Sequence, residues 1–144
     1  MLQTNPSDPY NLQRFIDAQA PIYDQVLDEL RAGQKRSHWM WFIFPQISGL
    51  GSSSFAVSFS INSVQEAETS LSHPILGPRL RECTRLVNQI HGRTIDQIFG
   101  SPDNLKFRSS MTLFSHATYD NDLFLDALRL YFNGESDPAT LRHL

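Results

Sequence analysis

Two cations, a histidine and both tryptophans of the chain stand within seven residues, Lys35-Arg36-Ser37-His38-Trp39-Met40-Trp41, and the run continues through Phe42-Ile43-Phe44-Pro45-Gln46. Ammonium and guanidinium groups hold anions, indoles stack on planar groups, and an imidazole exchanges protons near neutral pH. Cations placed before a helix oppose the positive end of its dipole. The placement makes sense where a phosphate or carboxylate sits between them and the backbone N–H groups. The same residues also read as solvated loop cations, and the sequence leaves both readings open. On a helix, Trp39 and Trp41 lie on opposite sides. Either both rings pack between helices, or one faces a cleft, a neighbouring subunit or solvent.

A second cluster, Gly100-Ser101-Pro102-Asp103-Asn104-Leu105-Lys106-Phe107-Arg108-Ser109-Ser110-Met111-Thr112, pairs cations with hydroxyls. Asp103, Lys106 and Ser110 fall on one helical stripe, with Ser109 beside Lys106. Asp103 and Lys106 alone would be a surface pair worth roughly 0.2–0.5 kcal/mol. Three hydroxyl residues in mid-helix are costly, because they compete for the backbone's hydrogen bonds. A polar pocket wall would account for them. The candidate acid–base pair is therefore His38 with Asp103. The candidate ligand-binding residues are Lys35, Arg36, Trp39, Trp41, Gln46, Lys106, Arg108, Ser109, Ser110 and Thr112.

Other chemistries lack their residues. The five histidines show no i,i+4 pair, a single cysteine (Cys83) builds no metal site or disulfide framework, and neither a metal nor a cofactor is implied. Gly49-Leu50-Gly51 lacks the strand and helix of a phosphate loop, and no serine occupies a nucleophile elbow.

The elements that position these clusters read as helices. Asp8-Pro9 opens one that runs to Gln19, and a second from Pro21 stops at Gly33. Ser37 and Pro45 bracket a short helix over the aromatic block. A loop at 48–54 leads to a helix over Phe55–Ser60, and Ser63-Val64-Gln65-Glu66 matches a capping box. The longest amphipathic run goes from Pro74 to Gly92, with Cys83 on its apolar face as a small hydrophobe. Thr94–Phe99, Ser101-Pro102 to Phe114, Asn121 or Asp122 to Phe132, and Asp137-Pro138 to Leu144 complete seven or eight short helices. The expectation is an all-α, compact single domain over residues 1–144.

Length and charge fit that class. A 144-residue chain buries roughly 68–70% of its unfolded surface, enough for one core. The N-terminus shows no signal-peptide pattern, no apolar run approaches the ~20 residues that span a bilayer, and the low cysteine count points to the cytoplasm. The net charge of −3 makes nucleic acid a poor partner. Residues 33–115 carry +3 between two acidic ends of −3 each, a distribution suited to a small anion.

Beginning at Ser37-His38-Trp39-Met40-Trp41-Phe42-Ile43-Phe44-Pro45-Gln46, the chain resembles the domain of unknown function 1810 family. The resemblance extends through Phe15–Gln19, His73–Cys83, Ile98–Phe114 and Asp137–Leu141. It implies a small all-helical protein of a mostly bacterial family, with no established activity. Members sometimes carry the label calpastatin, a disordered inhibitor that this folded-domain composition does not fit. Two functions remain in view. One is binding of a small anionic ligand, nucleotide or ADP-ribose-like, between the two clusters. The other is a non-enzymatic protein-interaction or homodimer module anchored by the spare tryptophan and Arg.

Overall fold

The computed structural model describes residues 6–144; residues 1–5, which begin the stretch without a signal-peptide pattern, lie outside the described residues. Ten helices follow one another among the described residues: α1 (Gln13–Gln19), α2 (Tyr23–Arg31), α3 (Met40–Ile43), α4 (Ser54–Ser58), α5 (Val64–Ser72), α6 (Leu76–Asn88), α7 (Ile95–Phe99), α8 (Asp103–Ser115), α9 (Asp122–Phe132) and α10 (Pro138–Arg142). The fold is all-α. A parallel bridge, Ile47 to Ile61, joins the loops on either side of α4. No helix among the described residues is long and apolar enough to cross a membrane.

The helices are arranged around α8, which packs against α3, α5, α7, α9 and α10. Such a helix has no broad solvent face, and every residue from Ser109 to Ser115 is buried. Two of its mid-helix hydroxyls bond backward: Ser109 Oγ reaches Leu105 O (3.1 Å) and Thr112 Oγ1 donates to Arg108 O (2.9 Å). Phe107 anchors a ring cluster with Phe44 and Phe99, each 5.0 Å away between centroids.

Punctuation behaves as its chemistry requires. The side chains of Ser53, Ser63, Thr94 and Asp137 cap α4, α5, α7 and α10. Thr94 and Gln97 form the reciprocal capping box, whereas Glu66 turns to Asn62 N (3.2 Å) and to Arg14 instead. The first helix begins at Gln13, later than Asp8-Pro9 suggests. Asn11 takes a left-handed φ of +53°, which interrupts the helix, and the Asp8 carboxylate reaches forward to Leu12 N and Gln13 N. Ser101-Pro102, a cis pair, gives α8 no side-chain cap. Arg14 stitches the chain after α4 to α1, donating to Ser58 O (2.9 Å), Ser60 O (2.8 Å) and Glu66 (2.9 Å).

At the α5–α6 elbow the backbones nearly touch. A Cβ on Gly77 would lie 2.0 Å from the Leu71 carbonyl oxygen, against rigid backbone. Gly77→Ala should therefore destabilise the protein by about 1–3 kcal/mol. At roughly 2–4 °C per kcal/mol for a chain near this size, a thermal melt reads it, and an unchanged melting temperature would show that the elbow is loose.

Candidate functional site

The loop carrying Lys35 to Trp39 is held by one carboxylate. Glu29 Oε1 accepts from Arg36 N (2.6 Å), Ser37 N (2.9 Å) and Trp39 Nε1 (3.0 Å), while Oε2 accepts from Ser37 Oγ (2.6 Å) and Gln25 Nε2 (3.0 Å). Burial pushes this carboxyl's pKa up, but the donors of Ser37, Arg36 and Trp39 outweigh it and bring it down to about 2. The anion that the backbone donors call for is thus present, and it belongs to the protein. Ser37 serves Glu29 instead of capping α3, whose N-cap is Trp39.

Asp103 then joins this loop to α8. Its Oδ2 lies 2.8 Å from Lys35 Nζ and its Oδ1 3.2 Å from Lys106 Nζ. Each ammonium also stands over an indole, Lys35 at 5.2 Å from the Trp39 ring and Lys106 at 4.9 Å from the Trp41 ring. The two tryptophans differ in accessibility: Trp39 is fully buried and Trp41 is half-buried.

Trp41 and Lys106 line an open groove of about 480 Å³. Gln46, Gly51, Ser53 and Ala56 form one wall, and Leu105, Ser109, Asp137 and Ala139 form the other. Phe55, which does not line the groove, stacks on Trp41 with centroids 5.1 Å apart and planes at 25°. The fold brings Lys35, Trp41, Gln46, Asp103, Lys106 and Ser109 to this region. Arg36 and His38 are exposed and do not line the groove. Ser110 and Thr112 are fully buried, the Ser110 hydroxyl without a hydrogen-bond partner. Arg108 points to the chain before α10, donating to Glu135 O (3.0 Å) and Ser136 O (3.0 Å).

A family model described as a protein of unknown function, DUF1810, matches residues 9–144. The chain belongs to the DUF1810 family. It is similar to a conserved hypothetical protein, Rv1873 from Mycobacterium tuberculosis, whose crystal structure superposes with a TM-score of 0.94 at 56% identity, over 95% of this chain and 98% of that one. No curated protein matches it.

Two residues of this DUF1810 chain that shape the site are absent from the sequence-derived candidates. Glu29 is one; a charged residue on the Val26–Leu30 face of α2 is the signal that could have found it. Asp137 is the other. Its Oδ2 accepts from Ser109 Oγ (2.7 Å), Thr140 Oγ1 (2.6 Å) and Thr140 N (3.3 Å), and its N–H donates to Thr112 Oγ1 (2.9 Å). Burial raises its pKa, but donors from Thr140 and Ser109 prevail and the net shift is downward. Cys83 is fully buried, and burial drives its thiol up to about 12, so it stays a packed SH group.

Two measurements test this arrangement. Because Glu29 titrates lower in the folded chain than its usual 4.5, the folded state binds fewer protons than the unfolded one in that interval. Its stabilisation is complete above about pH 4.5 and disappears as pH falls toward 2. Glu29→Gln should flatten that part of a denaturation-versus-pH curve and shift Trp39 emission to the red. An unaltered acid limb would remove Glu29 from its role. Lys35, with its side chain only 8% exposed, gives the second test. Asp103→Asn leaves that ammonium unpaired and should cost about 3–5 kcal/mol by urea denaturation, much of it recovered in Lys35→Met/Asp103→Asn.

Proposed function

We propose that this groove binds a small anionic ligand bearing a planar ring, of the nucleotide or ADP-ribose-like class. The observation that carries this reading is Lys106. It lines the groove beside the accessible indole and is held 3.2 Å from a carboxylate that a second lysine already neutralises. Two ammonium groups against one carboxylate leave a net positive charge at this end. A phosphate placed there satisfies that excess, and a ring beside it meets Trp41. Further along the lining, the Asp137 carboxylate, whose Oδ2 already accepts from Ser109, offers its other oxygen as an acceptor for sugar hydroxyls. The volume lies within the 300–1,000 Å³ usual for small-molecule sites. Lys35 and Asp103 act behind the surface in this reading, orienting Lys106.

A second reading, an interaction or homodimer module, is favoured by the exposure of Phe55 (56%), Val57 (61%) and Leu105 (55%) beside the same groove. Light scattering across a concentration series separates the two. A strict monomer at high concentration disfavours a homodimer patch.

The ligand reading is tested by thermal unfolding against nucleotides, NAD-related compounds and phosphorylated metabolites. A binder at 100 times its Kd stabilises by about 2.7 kcal/mol, a shift of roughly 5–11 °C at 2–4 °C per kcal/mol. The shift should vanish in Lys106→Ala and in Trp41→Ala. Retention of full affinity in both variants would show that the ligand sits elsewhere.

A further inference from the structure

Phe55 is in an unusual position for an aromatic residue. It stacks on Trp41 with centroids 5.1 Å apart, yet it remains 56% exposed, so it covers the accessible indole while turning its own outer surface to water. The planes are splayed by 25°, short of a parallel stack. The helix that carries it, α4, has no buried residue.

Both ends of α4 are tied to the rest of the chain, and Phe55 also stacks on Phe59 with centroids 6.5 Å apart and planes at 7°. At the C-terminal end Arg14 Nε donates to Ser58 O at 2.9 Å, and Phe59 packs against Phe42 (5.4 Å) and Phe15 (5.8 Å), both core residues. At the N-terminal end the approach is the Gly49-Leu50-Gly51-Ser52-Ser53 segment, in which Gly49 has a φ of +96° that L side chains rarely adopt. Gly51, Ser53 and Ala56, around the first turn of α4, line the groove. The Trp41–Phe55 stack therefore lies directly beside the groove, and its opening is what a ring between the two would require.

We propose that Phe55 is the second aromatic wall of the site: a planar heterocycle enters between Trp41 and Phe55 and is sandwiched by both rings. This deepens the ligand reading and rests on it. The exchange is favourable in its contacts, because one splayed ring pair gives way to two stacked ones. Stacking of this kind tolerates any base, since every base has a π-face. The site thus selects for the presence of a ring system, with Lys106 selecting for the anionic group.

The test is calorimetric titration of AMP and of ribose 5-phosphate, which lacks the base, into wild-type protein and Phe55 variants. AMP should bind wild type at least tenfold more tightly than ribose 5-phosphate. Phe55→Ala should lower AMP affinity about tenfold and leave ribose 5-phosphate within about twofold. Phe55→Trp should retain AMP binding, and Phe55→Leu should not. Full AMP affinity in Phe55→Leu would make Phe55 an apolar brace for Trp41 and overturn the proposal. AMP binding that survives Phe55→Ala but is lost in Lys106→Ala would overturn the sandwich and leave the groove reading standing. No binding of either probe by wild type would overturn both.

Discussion

The Glu29 carboxylate is the point on which the aromatic loop depends. Five donors converge on it, from the backbone of Arg36 and Ser37 and from the side chains of Gln25, Ser37 and Trp39. A buried carboxylate with so many donors is stabilised in its charged form, and each donor is in turn spared desolvation without a partner. The loop from Gln34 to Trp39 has no helical ladder to satisfy its N–H groups. Glu29 supplies that satisfaction from α2, and the indole of Trp39 is drawn inward with it. Once Trp39 is fixed, α3 follows, and Trp41 is left on the opposite side.

The same logic of a carboxylate serving two segments recurs twice. Asp103 joins Lys35 of the loop to Lys106 of α8, and Asp137 joins α8 to the start of α10 through Ser109, Thr112 and Thr140. These contacts bring together chain segments that have little else in common. Polar groups take on this role because the segments are too short to carry broad apolar faces. Four of the ten described helices have five residues, or four in the case of α3, and short helices gain little from propensity alone.

Much of this was legible in the residues themselves. The apolar spacing of Leu76, Leu80, Cys83 and Val87 marks α6, and Ser63, Thr94 and Asp137 announce their helices because capping is a local interaction between near neighbours. The clusters at 35–46 and 103–112 do meet in space. Their inner assignments were less legible. Arg108, Ser109 and Thr112 have the composition of a pocket wall, but a helix buried on most sides and tied to a neighbouring turn has that composition too. Thr112 spends its hydroxyl on Arg108 O and Asp137 N, and Arg108 its guanidinium on two carbonyls. Glu29 was hidden for a different reason. Most of its partners lie in a loop, where spacing carries no periodic signal, and one acid among the three of α2 reads as solvated.

The groove also has a consequence for the order in which the molecule can be completed. Trp41, Gln46 and the 51–56 stretch come from the first half of the chain, whereas Asp137 and Ala139 come from its last residues. During synthesis the N-terminal part of a chain emerges first, whereas a domain generally folds as a unit. A nascent chain that has emerged as far as α9 already owns its tryptophans and Lys106, but Asp137 and Ala139 of the lining are still inside the ribosome. Ser109 then has no Asp137 to meet. The groove is therefore a late product of translation, closed in the same step that seats the C-terminal turn.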